Sequence, residues 1–168
     1  METDVTETFE ASLRRLDVAV ERTDAAGAEA VLADRVEAPV VGVPLPFDGV
    51  SLPEGVETAP TPAQLEAATT AITAVDFAVA DYGSVAIRAS PAGEEPTSLY
   101  ADVHVAVVAA SDVLPDMGAA FDRLGEAVRD GDADTVLATG PSATADMGAL
   151  VTGAHGPKAV RAVVIEDR

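Results

Sequence analysis

Residues 139–157 read TGPSATADMGALVTGAHGP, and they bring together most of the side chains in this sequence that could do chemistry. Ser142 and Thr144 offer hydroxyls beside Gly140, Asp146 follows two residues on, and His155 sits between small residues just ahead of Gly156. A strand that runs into Gly140 and leaves Ser142 as a short helix would present free backbone N–H groups, and these with the helix dipole favour an anion. Ser142, Thr144, Gly140 and Gly156 are therefore candidate ligand-binding residues. Asp146 would lie in the first helical turn, where its charge suits the dipole but opposes a bound anion. The alternative is a turn capped by Ser142, with no ligand. An imidazole on a small-residue turn can reach a ligand, and imidazole is the side chain whose ordinary titration falls near neutral pH. His155 is thus the candidate for proton transfer, against a turn histidine bonded to backbone.

The other chemistry-bearing positions are fewer. Asp81, Tyr82 and Gly83 break two short strands, which places Asp81 as a candidate catalytic or orienting group and Gly83 as a candidate ligand contact on the same rim; the alternative is a turn with Gly83 at positive φ. His104 lies inside a strand pattern and reads as a core or interface histidine. Asp102, two residues earlier, falls on the same strand face and could orient it. No Walker A loop, no Gly-x-Gly-x-x-Gly fingerprint and no Gly-x-Ser-x-Gly elbow occurs. Two histidines without cysteine leave no metal-ligand spacing, so no metal and no cofactor is expected.

The elements that must hold these residues alternate between helix and strand. A helix over 4–16 is capped by Asp4, with Val5, Phe9, Leu13 and Leu16 on its inner face. A strand follows at 17–22, then a helix from Asp24 to Val36, then a short buried strand in APVVGVPL. Five prolines between 44 and 62 make that segment an irregular connection, either a flap or a passive excursion. Thr61 and Pro62 start a helix whose inner face carries Leu65, Ala68, Thr69 and Ile72. Two short strands meet at Tyr82 and Gly83, a strand covers DVHVAVV, and a helix opens at Asp112. Strands at DTVLATG and AVRAVVIED close the order. Apolar strands alternating with helices predict a three-layer α/β/α sandwich around a mostly parallel mixed sheet, in a single domain over 1–168.

Composition bounds the function. The chain has 168 residues, 29 acids against 10 bases, a formal net charge of −19 and one lysine, Lys158. Such self-repulsion strains a compact fold in dilute buffer. It is tolerable when salt shrinks the Debye length to ~3 Å near 1 M. The sequence therefore reads as a cytoplasmic protein of a salt-accumulating halophile, the alternative being an ordinary acidic protein. No basic patch suits nucleic acid, and no apolar run suits membrane insertion. The absence of cysteine excludes disulfides and a self-held iron–sulfur cluster.

The segments DFAVADYGSVAIRAS, SLYADVHVAVV and GPSATADMGALVTGAHGP together resemble the lactate-utilisation (LUD domain) family, of the LutC type. The last is the most specific: Gly140, Pro141, Ser142, Thr144, Ala145 and Asp146, then Gly153, His155, Gly156 and Pro157. The resemblance covers roughly 75–166. It departs at Tyr82, where the family usually has Thr, and at Leu99-Tyr100, where it usually has Leu-Pro or a similar pair. It implies a fold similar to the ribose-phosphate isomerase, CoA-transferase and formyltetrahydrofolate cyclo-ligase group. It also implies an accessory role in oxidising L-lactate to pyruvate, beside partner proteins that carry iron–sulfur clusters. Two alternatives stand: a stand-alone cyclo-ligase or CoA-transferase-like enzyme, and a non-catalytic interaction subunit.

Overall fold

The computed structural model describes residues 4–131, 134–146 and 148–168, without the side chain of Asp146. Helix α1 (Val5–Arg15) begins at Asp4, whose carboxylate accepts the Thr6 amide, and it buries Phe9 and Leu13. Strand β1 (Ala19–Thr23) follows, then α2 (Ala28–Ala33) and β2 (Val40–Gly42). Helix α2 is shorter than expected. Asp24 accepts the Gly27 amide in a turn ahead of the helix, so it closes that turn and does not cap the helix itself.

Helix α3 (Pro62–Ala67) carries the expected Thr61 cap, with Gln64 completing a capping box. The helix ends five residues before Ile72. Thr70–Ala74 is instead β3, buried for nearly its whole length. The sequence TAITA is rich in β-branched residues, and its burial from both faces conceals the alternation that would have marked a strand. Strands β4 (Phe77–Val79) and β5 (Ser84–Arg88) meet at the expected break. Helix α4 (Glu94–Tyr100), which the sequence did not announce, leads into β6 (Val103–Ala109). Asp112 closes a 3-10 turn, Val113–Leu114 forms β7, and the next helix, α5 (Met117–Arg129), is capped by Asp116. Strands β8 (Thr135–Thr139), β9 (Ala143–Asp146), β10 (Ala149–Thr152) and β11 (Ala159–Ile165) complete the chain.

The central sheet has the order β1-β11-β6-β3-β2, and every pairing in it is parallel. Helices flank it, as the three-layer expectation requires. The antiparallel pairing lies elsewhere: β7-β4-β5-β8 form a second, four-stranded sheet. That sheet and α1 pack on one face of the central sheet through Leu13, Ala78, Val85, Ile87, Ala106 and Val164. Helix α5 covers the outer face of the second sheet through Met117, Ala120 and Leu124, over Phe77 and Val79. The other face of the central sheet is covered by α2 and by the proline-rich segment, which delivers Leu45, Phe47, Val50, Leu52 and Val56 onto Ile72, Val105, Val107 and Val163. The segment thus acts as a layer of the core, neither a free flap nor a loose excursion.

One glycine holds the break between β4 and β5 in place. Gly83 has φ +69°, and a Cβ there would come within 2.9 Å of Leu16 Cδ1 and 3.2 Å of the Ser12 backbone. Gly83→Ala is expected to cost about 2–3 kcal/mol, combining the left-handed backbone with overpacking against α1. Gly55 has φ +86° but faces open space, so Gly55→Ala carries the backbone cost alone. Urea unfolding of the two variants checks this; equal losses would contradict it.

Candidate functional site

Strand β8 ends at Thr139, whose hydroxyl pairs with that of Ser84 at 2.7 Å, and the chain turns at Gly140 with φ +67°. No helix follows Ser142. The chain folds into the antiparallel hairpin of β9 and β10, with Ala143 opposite Thr152. The Gly148 turn and the β-branched Thr144, Val151 and Thr152 favour the hairpin over a single helical turn. The helix dipole invoked for an anion is therefore absent from this site.

The returning chain is stitched to Ser142. The Ser142 amide donates to the Pro157 carbonyl at 2.9 Å, and the Gly153 amide donates to the Ser142 carbonyl at 3.0 Å. The Ser142 Oγ accepts the His155 amide at 3.3 Å. A Cβ at Gly156 would stand 3.3 Å from the Ser142 Cβ, so the two turns touch backbone to side chain. The Ser142 N–H is consequently committed, while the Ser142 and Thr144 hydroxyls and the His155 imidazole are the side-chain groups this segment offers a ligand.

These turns form the mouth of a cavity of about 350 Å³ between the two sheets. Gly83, Gly140, Ser142, Thr144, His155 and Gly156 all line it, so six of the eight candidate residues converge. Asp146 ends β9, and its side chain lies outside the described residues. Asp81 does not line the cavity; its carbonyl accepts the Ser12 hydroxyl at 3.1 Å and the Arg15 guanidinium at 3.3 Å, holding α1 against the β4–β5 turn. Tyr82 and Tyr100 are exposed and also stand off the cavity, whereas Leu99 and Ser98 of α4 line it.

The inner walls are apolar: Val85 and Ile87 from β5, Ala138 from β8, Ala106 from β6, and Val160 and Ala162 from β11. His104, with the buried Ser98, is a polar group among them. It is 2% exposed, and its Nε2 lies 2.9 Å from the Thr73 Oγ1. Burial lowers its pKa to about 4, so it is neutral at ordinary pH. The Asp102–His104 pair that strand spacing allows does not form. Asp102 precedes β6, and its carboxylate holds Lys158 at 2.8 Å while its carbonyl accepts the amides of Lys158 and Ala159.

The cavity lies at the carboxyl end of β8 but at the amino ends of β6 and β11, because Val103 and His104 pair with Ala159 and Val160. The rule that ligands sit at the carboxyl ends of strands belongs to open parallel sheets, and β8 is not in that sheet. At the carboxyl end of β3 there is a smaller cleft of about 220 Å³, lined by Asp76, Arg88, Asp112 and Arg123. Asp76 binds Arg88 at 2.7 Å and Arg123 at 3.3 Å, and Arg123 also holds Asp112 at 2.8 Å and stacks on Phe77. That network ties α5 to the junction of the sheets. Among the described residues no group of three or more His, Asp or Glu is placed to hold a metal, and no helix is long and apolar enough to cross a membrane.

Comparison with known proteins places these observations. Residues 49–165 match the LUD domain family model. The chain is 33% identical over 109 residues to "Lactate utilization protein C" of Bacillus velezensis, a match covering 61% of this chain and 44% of that protein. It is 32% identical over 107 residues to the protein of the same name in Bacillus licheniformis, covering 61% and 45%. The chain thus spans less than half the length of these curated relatives. Its fold is similar to that of a DUF162 family protein from Deinococcus radiodurans, with a TM-score of 0.75 over 98% of both chains at 19% identity.

Proposed function

We propose, from the premise that this chain belongs to the LUD domain family, that it is an accessory component of a cytoplasmic system oxidising L-lactate to pyruvate, with residues 1–168 acting as one LUD-type domain. The names of its two relatives support a place in lactate utilisation. In this reading the redox centres belong to iron–sulfur partner proteins, and a chain without cysteine fits that division. The exposed Leu150 and Val151 on the hairpin, beside the cavity mouth, supply an apolar surface for such a partner.

The observation that carries the reading is the convergence of Ser142, Thr144, His155 and Gly156 on one cavity mouth. A small carboxylate held there would accept hydrogen bonds from the two hydroxyls, and the exposed His155 imidazole would give or take the proton. Asp81, which stands off the cavity, would act on a partner or on α1 and not on this ligand. A second reading, a CoA-transferase-like enzyme, has one observation in its favour: Glu95 lines the same cavity, and that chemistry uses a nucleophilic glutamate. Turnover by the purified chain alone would select it.

Isothermal titration in molar salt tests the first reading. L-lactate or pyruvate is expected to bind, and Ser142→Ala and His155→Ala are each expected to weaken binding about tenfold, the loss of one charge-assisted hydrogen bond. Equal binding by all three proteins would remove the site.

A further inference from the structure

We propose that the interior of the inter-sheet cavity is a binding site for an uncharged, largely apolar molecule that carries one hydroxyl or carbonyl group, recognised by His104. This goes beyond the rim reading, which concerns only the mouth.

Size is the first argument. The cavity of about 350 Å³ holds roughly ten water volumes. A three-carbon acid at the mouth leaves most of it unfilled, whereas pockets of this size ordinarily take a ring-sized ligand or larger. Wall chemistry is the second. Val85, Ile87, Ala106, Ala138, Val160 and Ala162 offer no polar side-chain atom. A buried water needs two to four polar partners, so water against these walls is poorly held and its displacement by an apolar body is favourable.

Charge is the third argument. No lysine or arginine is among the lining residues, and Glu95 adds a negative charge near the entrance. An anion drawn inward would lose its hydration with no cation to replace it. The occupant is therefore neutral.

His104 supplies the recognition. It is almost fully buried yet lines the cavity, and only its Nε2 is engaged, by Thr73; Nδ1 has no hydrogen-bond partner among the described residues. Nδ1 is not among the fully buried unpartnered atoms, so it is reached from the cavity, where a ligand group that pairs with it takes the place of water. If the Thr73 hydroxyl donates to Nε2, Nδ1 carries the proton and asks for an acceptor. If Nε2 donates to Thr73, Nδ1 asks for a donor. A hydroxyl satisfies either tautomer.

Three probes of one ring size test this in molar salt: 2-naphthol, naphthalene and 2-naphthoate. We expect 2-naphthol to bind at least tenfold more tightly than 2-naphthoate. His104→Phe should reduce 2-naphthol binding five- to tenfold while leaving naphthalene unchanged. Ala106→Leu, and independently Ala138→Leu from the opposite wall, should abolish binding of both neutral probes by filling the space; cooperative unfolding of each variant confirms that it folds. Failure of 2-naphthol to bind the parent protein, equal binding of 2-naphthoate, or undiminished binding in either folded leucine variant would overturn the proposal. Loss of the lactate or pyruvate effect with intact 2-naphthol binding would overturn only the rim reading.

Discussion

Below about 0.1 M salt the chain is expected to lose its cooperative fold and to regain it in molar KCl. The net charge of −19 on 168 residues is the cause. At 0.1 M the Debye length is ~10 Å, so neighbouring carboxylates feel one another, and near 1 M it falls to ~3 Å. Internal cations cannot neutralise the excess. Arg22 is already shared between Glu10 and Glu166, and Arg123 between Asp76 and Asp112. Along the exposed face of α5, Asp122, Glu126 and Asp130 follow at four-residue spacing, where like charges repel. Salt weakens the ion pairs as well, but exposed pairs contribute only ~0–1 kcal/mol each, less than the repulsion summed over an excess of this size. Glu126→Lys converts two of these repulsions into attractions, so its salt midpoint should fall below that of the parent. Far-UV circular dichroism against KCl concentration reads both effects. A fully native signal in low-salt buffer would remove the halophile reading and leave the fold and the site untouched.

The second large effect is a loss of stability in mild acid that belongs to His104. Its pKa is about 4 in the folded protein against an ordinary 6.5. Above pH 6.5 both folded and unfolded chains hold it neutral, and it contributes no pH dependence. As pH falls from 6.5 towards 4 the unfolded chain takes up a proton that the folded chain refuses, so stability falls with pH. The full difference is roughly 3 kcal/mol by pH 4. The comparison is with His104→Gln, which keeps a hydrogen-bonding group for Thr73 and removes the His104 titration. Urea unfolding in molar salt at pH 7 and pH 4.5 should show a smaller acid loss in the variant, by about 2 kcal/mol. Parallel curves would mean that His104 is not buried as described.

Much of the architecture was legible because particular residues announce it. Asp4 and Thr61 with Pro62 mark helix starts by chemistry that operates within one turn. Phe9 and Leu13 mark a buried helix face by spacing. The centre of the parallel sheet was harder to see: Thr70–Ala74 is buried on both sides, so its alternation vanished into the helix before it. The division into two sheets was invisible, since strand pairing depends on partners far apart in sequence, such as Ser84 with Thr139.

The site followed the same pattern. The 139–157 segment stood out through its residue types, and its members do meet. Its local form was misread, since a hairpin and a short helix compete closely over so few residues and the stitching of Ser142 to Pro157 and Gly153 is set by the returning chain. His104 was legible as a buried histidine, but its place in a cavity was not. The walls of that cavity come from β5, β6, β8 and β11, and alanine and valine carry no signal of what they enclose. The family resemblance added what local physics could not, by marking 140–157 as a signature.

The central claim is that this segment rims a ligand site between the two sheets. Its most direct test is a two-dimensional NMR titration of the isotope-labelled chain in molar KCl with L-lactate and pyruvate. The account predicts saturable shifts at Ser142, Thr144 and His155, with smaller ones at Leu99. Shifts confined to Asp76, Arg88 and Arg123 at the opposite cleft, or no saturable shift anywhere, would contradict it.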